Sequence, residues 1–164
     1  MVLVSKQPHI FPMAEDIRHE CGAYQLQSVI RAFGKDAQVE DLYLNDLFRK
    51  HDVSLPSFMP RILGRFGVDS DVHFWTKRKF KDRLAEAIHE DKPTLFVINS
   101  IWGDGNWHWI SSWGHEETPD ALEFMSYDSQ LPTAVNTPGN ARYAHQVIEE
   151  VLPWRGSFAV TIKE

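Results

Sequence analysis

The stretch Cys21-Gly-Ala-Tyr-Gln-Leu-Gln-Ser-Val-Ile-Arg-Ala-Phe-Gly34 decides how the rest of the chain is read. Ala23, Leu26, Val29, Ile30 and Phe33 recur at the spacing of one face of an α-helix, and Gly34 stands where a left-handed C-terminal cap belongs. A helix that opens at Cys21 sets the sulphur in its first turn, among backbone N–H groups with no partner inside the helix. An anion is favoured there, and a thiolate is one. A free cysteine ionises near ~8.5, but at a helix N-terminus beside an imidazole the value falls to roughly 3.5–7.5. Gly22 keeps the approach to the sulphur clear. The plainer reading is a buried thiol acting as a small hydrophobe, and position alone favours it.

Working outward, a second helix is expected over Val39 to Lys50 with Leu44, Leu47 and Phe48 inward, and a third after Ser57. In the third, Pro60 is tolerated in the first turn, and Met59, Ile62, Leu63 and Phe66 form the apolar stripe before Gly67. The period then changes. Val72 and Phe74 alternate with His73 and Trp75 as a strand does, and a helix carrying Phe80, Leu84, Ala87 and Ile88 follows. After the turn Asp91-Lys-Pro93, strands are expected at Thr94–Asn99, Trp107–Trp113 and Leu122–Asp128, the last two paired as a hairpin. An amphipathic helix with Ala144, Val147, Ile148 and Val151 and a closing strand with Phe158, Val160 and Ile162 complete the chain. Residues 1–20 read as an irregular lead-in. Helices first and mostly antiparallel strands afterwards describe an α+β domain, its helices segregated from the sheet.

The 164 residues, 43% of them hydrophobic and 24% charged, fit a single globular domain over 1–164. Six Trp, ten Phe and four Tyr exclude a solvated, disordered chain. A formal net charge of -6 argues against nucleic acid as partner, since affinity for a phosphate backbone needs clustered Lys and Arg. One cysteine excludes an intramolecular disulfide and suits a reducing compartment. No apolar run approaches the ~18 residues of a membrane span, and no signal-like start is visible. A cytoplasmic protein, or one exported by a signal-independent system, is expected, with no membrane partner.

Two residues turn Cys21 from a hydrophobe into a candidate nucleophile. His108, in Asn106-Trp-His-Trp-Ile110, follows the loop Gly103-Asp-Gly105 at the start of a strand, where its ring can face a cleft as a base. Asp128 ends the next strand, in Ser126-Tyr-Asp-Ser129, and an antiparallel neighbour can bring its carboxylate to the far nitrogen of that ring. Cysteine, base and orienting acid together make a nucleophilic triad. The plain alternative is a structural His and a turn-capping Asp. Eight histidines raise the question of zinc, but they are scattered, with neither a paired-cysteine motif nor His-Glu-x-x-His, so no metal and no cofactor is expected. His115, seven positions after His108, falls on the opposite face by strand alternation. His19 lies too near Cys21 along the chain to act as its base. The run Lys77-Arg-Lys-Phe-Lys81 reads as a solvated helix start. The tryptophans at 102, 107, 109 and 113 read as core and cleft wall.

Taken in order, these residues resemble the papain-like peptidases that cut double-glycine leaders from bacteriocins, and their wider relatives. Glu20-Cys-Gly-Ala23 is similar to that family's acid-Cys-Gly-Ala opening, and Ser54-Leu-Pro-Ser-Phe-Met-Pro-Arg-Ile-Leu-Gly-Arg-Phe-Gly67 to its helix ending in leucine-glycine. Asp91-Lys-Pro-Thr-Leu95 resembles its entry to a central strand, and His108-Trp109 and Tyr127-Asp128 complete the likeness from residue 20 onward. The resemblance implies a papain-like fold, with the Cys at a helix N-terminus packed on a mostly antiparallel sheet. It also implies Cys21 as nucleophile, His108 as general base and acid, Asp128 as orienting acid, and a thioester intermediate in the cleavage of peptide or protein amide bonds. Two positions depart from the pattern. Glu15, beside Asp16, stands where a Gln would donate to the oxyanion, and an ionised carboxylate cannot donate. Gln7 is the nearest upstream amide, and the Cys21 N–H is the other donor. Ser129 replaces the Pro that commonly follows the acid.

The same triad would serve glutamine deamidation or acyl transfer, because both pass through the same intermediate. A non-catalytic relative that binds peptide in the cleft is the reading from another class. A peptide or protein substrate, an effector or toxin role, and an inhibitor or immunity protein as partner are the corresponding expectations. If His108 merely faces a cleft, His108→Ala should abolish turnover and leave the fold intact.

Overall fold

Strand-forming residues dominate the second half of the chain, and in the computed structural model five strands from that half and two from the first assemble, among the described residues, into one seven-stranded sheet. The structure describes residues 1–10, 21–38, 42, 56–99, 107–131, 139–153 and 155–163. In chain order these form β1 (Val2–Leu3), α1 (Cys21–Ala32), α2 (Phe58–Arg65), β2 (Asp69–Thr76), α3 (Lys77–His89), β3 (Thr94–Asn99), β4 (Trp107–Glu117), β5 (Leu122–Tyr127), β6 (Ala141–Ala144), α4 (His145–Val151) and β7 (Gly156–Lys163). The expected second helix lies outside the described residues except for Leu42, which is helical and buried. The loop Gly103–Gly105, Trp102, His19, Glu20, Glu15 and Asp16 lie outside them as well.

The helices start and stop where their sequences dictate. Gly34 and Gly67 both take positive φ, 74° and 70°, and the chain folds back on the open carbonyls behind them: Lys35 N–H donates to Ile30 and Val68 N–H to Leu63. Phe80, Leu84, Ala87 and Ile88 are buried along α3 as their spacing requires.

Every strand pairing is antiparallel, in the order β2-β7-β3-β4-β5-β6, with β1 beside β4. The closing strand β7 therefore runs between β2 and β3. Two strands escape a reading by period. β1 is two residues long and extends the edge of β4 that β3 leaves free, Leu3 opposite Gly114. β6, four residues with an arginine among them, pairs with β5.

The helices pack on the antiparallel sheet as the α+β reading expects, and they use both of its faces. Ser111 of β4 hydrogen-bonds Gln25 of α1, whereas Phe96, opposite Ile110, packs on Phe80 of α3 at 5.1 Å between ring centres. Ser111 and Ile110 are consecutive on the strand and point to opposite faces, so α1 and α3 cover opposite faces. The core is continuous through the sheet, with Leu26, Ile30, Met59 and Leu63 on the helices and Phe96, Trp113, Tyr127 and Ile162 on the strands.

The β4–β5 hairpin corrects the expected facing of one residue. Between Ser112 and Gly114 the register shifts, so that Ser112 faces Ser126 and Gly114 faces Met125, leaving Trp113 as an extra residue. The bulge returns His115 to the face of His108, against the alternation expected from their spacing. His115 is buried at the far end of that strand and stacks edge-on against His89 of α3. Trp109 and Trp113 are core residues, and Trp107 is exposed.

Candidate active site

Cys21, His108 and Asp128 converge although 87 residues separate the first two along the chain. Cys21 is the first residue of α1, His108 the second of β4, and Asp128 follows the last residue of β5. His108 Nε2 lies 2.7 Å from Asp128 Oδ1, with the two side chains 2% and 1% exposed. Cys21 lies against the same imidazole. Among the described residues Nδ1 has no hydrogen-bond partner, and it is the nitrogen open to a thiol.

The electrostatics follow from that order. Burial works against charge on His108, but the hydrogen bond to Asp128 and the favourable interactions with the Asp128 carboxylate and with Cys21 outweigh it and push the imidazole up to about 9. Burial likewise works against charge on Asp128. The His108 ring, the Gln130 N–H and the Tyr143 hydroxyl overcome this and hold the carboxyl below its ordinary value. The arrangement favours an imidazolium on the Asp128 carboxylate, with Cys21 against the same ring.

The sequence reading missed the groups that hold these three in place. Gln25, one turn after Cys21 and fully buried, accepts from Ser111 Oγ at 2.6 Å and donates to the Tyr127 carbonyl at 3.1 Å. Ser111 in turn accepts from the Trp113 indole N–H at 2.8 Å. One side chain thereby locks the cysteine helix to the strand bearing His108 and to the residue before Asp128. The available signal was a polar residue four positions after Cys21, and hence on its face of the helix.

Asn140 grips the main chain of Asp128 from both sides. Its Oδ1 accepts from the Asp128 N–H at 2.7 Å, and its Nδ2 donates to the Asp128 carbonyl at 2.7 Å and the Leu131 carbonyl at 3.1 Å. Gly139 makes this approach possible, because its φ is +118° and a Cβ there would sit 2.1 Å from the Ser126 carbonyl oxygen. Gly139→Ala is therefore expected to destabilise the fold by about 2 kcal/mol or more, read as a lowered thermal midpoint. A midpoint equal to wild type would mean that this segment is free to move away from β5.

Gln7, the upstream amide considered as an oxyanion donor, is engaged elsewhere. Its Nε2 donates to the Val4 carbonyl, and Val4 N–H donates to Trp113, beyond the middle of β4 from His108. Among the described residues no group of three or more His, Cys, Asp or Glu side chains is placed to hold a metal ion. Among them, too, no helix is long and apolar enough to cross a membrane.

A helix headed by Cys21 and laid on an antiparallel sheet, with His108 and Asp128 at the ends of adjacent strands, has the papain-like fold seen in cysteine peptidases. Along its whole length the chain is similar to a double-glycine motif protease from an AMS/PCAT transporter, solved in complex with the leader peptide. The TM-score is 0.64 at 13% identity, with 100% of this chain and 99% of that one covered. It is also similar to the peptidase domain of Streptococcus ComA, a bi-functional ABC transporter involved in a quorum sensing pathway, with TM-score 0.66, 12% identity and 94% and 98% covered. A third likeness is to UfSP from C. elegans, with TM-score 0.65 and 11% identity, where 99% of this chain spans 34% of the other. No family profile and no curated protein matches the sequence.

Proposed function

We propose that residues 1–164 form one domain with the activity of a cysteine-dependent hydrolase of peptide or protein amide bonds, with Cys21 as nucleophile, His108 as general base and acid, and Asp128 as orienting acid. The observation that carries this reading is the buried His108 ring held between Cys21 and Asp128 with its Nε2 2.7 Å from the carboxylate. His108 takes the Cys21 thiol proton as the sulphur adds to the carbonyl carbon, and the Cys21 N–H serves the developing oxyanion. The C–N bond breaks as His108 passes a proton to the leaving amine, leaving a thioester. Water, deprotonated by His108, then adds to the thioester and releases the acid and the free thiol. A peptide segment as substrate accords with the leader peptide bound by the double-glycine motif protease.

Two measurements test this. Cys21 is expected to react selectively with a thiol-directed electrophile near neutral pH in the folded protein. Inertness until denaturation would make it a core cysteine and the protein a non-catalytic peptide binder. Proteomes of cells carrying wild type and Cys21→Ala are then compared. New peptide termini confined to the wild type are expected, whereas Gln-to-Glu mass shifts without new termini would turn the same triad into a deamidase.

A further inference from the structure

A carboxylate orients an imidazole only if the carboxylate is itself held, and in Asp128 it hangs on a rotatable bond. Oδ1 receives His108 Nε2 and, at 2.9 Å, the Gln130 N–H. Oδ2 is buried with the rest of the side chain, and an acceptor there without a donor would cost free energy and invite rotation. The donor is the Tyr143 hydroxyl, at 2.8 Å. Burial and the Asp128 charge both raise the Tyr143 phenol above its ordinary range, so it stays protonated and donates throughout.

Tyr143 is in turn fixed on both sides. Its strand pairs with β5 so that Tyr143 stands opposite Phe124, and Arg142 beside it forms ion pairs with Glu123, at 2.8 Å, and with Glu116. A small apolar cavity bounded by Ile98, Ile110, Val147, Ile148 and Val151 lies against Tyr143. Three positions earlier, Asn140 brackets the Asp128 main chain.

We propose that Tyr143 is a positioning residue of the site. With Asn140 it forms a clamp, Asn140–Tyr143, that fixes the main chain and the outer carboxylate oxygen of Asp128 so that Oδ1 stays on His108. Asn140 thereby supplies to the Asp128–Ser129 peptide the rigidity that a proline after the acid would supply. This rests on the hydrolase reading only for its kinetic consequence; the hold on Asp128 can be measured without turnover.

The test is Tyr143→Phe, which keeps the ring and removes one oxygen. Among the described residues the titratable side chains that hydrogen-bond Asp128 are His108 and Tyr143, so the Asp128 carboxyl is followed by carbon NMR as pH is lowered. Losing a donor to the ionised form should raise its midpoint by about one pH unit, a tenfold change in proton affinity. In turnover, kcat should fall about 3- to 10-fold with KM unchanged, and the acid limb of the pH profile should rise with the NMR midpoint. 3-Fluorotyrosine at position 143, a stronger donor, should move the midpoint down. Coincidence of all three titration curves would overturn the proposal and leave Tyr143 as packing. If neither wild type nor variant turns over peptide while the midpoints move as stated, the clamp stands and the hydrolase reading falls.

Discussion

Cys21→Ser is expected to cut turnover by about 10³-fold or more while leaving the fold intact. A hydroxyl of nearly the same shape replaces the sulphur at the head of α1, so the packing of Ala23, Leu26 and Ile30 behind it is unchanged. What is lost is a nucleophile matched to its base: an alcohol gives up its proton far less readily than a thiol. His108→Ala should remove turnover to a similar extent, but the structure alters the expectation for its stability. The ring is not a lightly packed cleft residue. It is almost fully enclosed, and alanine would leave a cavity and a buried Asp128 carboxylate without its main partner. His108→Ala is therefore expected to lower the thermal midpoint clearly as well. Its pH dependence should differ too. A folded value of about 9 against the ordinary 6.5 means that the imidazolium contributes stability fully below about 6.5, and that this is lost as pH rises through 9. The wild-type midpoint should fall across that window and the variant's should not. Wild-type turnover in Cys21→Ser would remove the triad, and a flat wild-type curve between pH 6.5 and 9 would mean the histidine is not held as imidazolium.

How much of this was legible depended on how far along the chain each interaction reached. Helical spacing from Ala23 to Phe33, the glycine after it and the alternation through His73 and Trp75 are local, and they read correctly because a period of 3.6 or 2 is a property of neighbours. The β4–β5 hairpin was legible for the same reason, and it alone sufficed to suggest that His108 and Asp128 meet. The bulge at Trp113 was not, because nothing in Ser111-Ser-Trp-Gly114 states that one residue will be left without a partner, and a single extra residue reverses the facing of everything after it. His115 shows the consequence.

The placement of β7 between β2 and β3 was hidden for a different reason. The apolar pattern of a strand does not name its neighbours, which are chosen by packing over the whole domain. The holding groups were hidden most thoroughly. Gln25, Asn140 and Tyr143 matter through partners between 12 and 102 residues away, at Tyr127 and Asp128, and in sequence a buried glutamine on a helix resembles an exposed one. β6, which presents Tyr143, is too short to show a period. A triad can thus be suspected from three residue types in order, but its support becomes visible only when the chain is folded.

Asp128→Asn isolates what the charge of that residue contributes, because the amide can reproduce its contacts. An Asn Oδ1 placed as Asp128 Oδ1 is now would still accept from His108 Nε2 and the Gln130 N–H. Its Nδ2 would face the Tyr143 hydroxyl, which can turn and accept. Shape and hydrogen bonds survive, but the stability that the imidazolium contributes below pH 9 goes with the charge, so the thermal midpoint at neutral pH should fall and its decline between pH 6.5 and 9 should flatten. The negative charge does not survive, and with it goes a main cause of the raised imidazole value. His108 should therefore fall from about 9 toward 6.5, and the basic limb of the pH–rate profile, where the imidazolium is lost, should move toward neutral pH. That is opposite in limb and direction to Tyr143→Phe, which moves the acid limb upward. Turnover near pH 7 should drop roughly 10- to 100-fold. The loss should be less than the ~10⁴ suffered when a serine enzyme's acid becomes an amide, because the attraction between thiolate and imidazolium still holds part of the charged pair. Kinetics and pH limbs unchanged from wild type would make Asp128 a turn cap for Ser129-Gln-Leu131, a role asparagine fills as well. A slowed enzyme with its basic limb displaced, and a thermal midpoint that no longer declines between pH 6.5 and 9, requires the carboxylate to act on the ring.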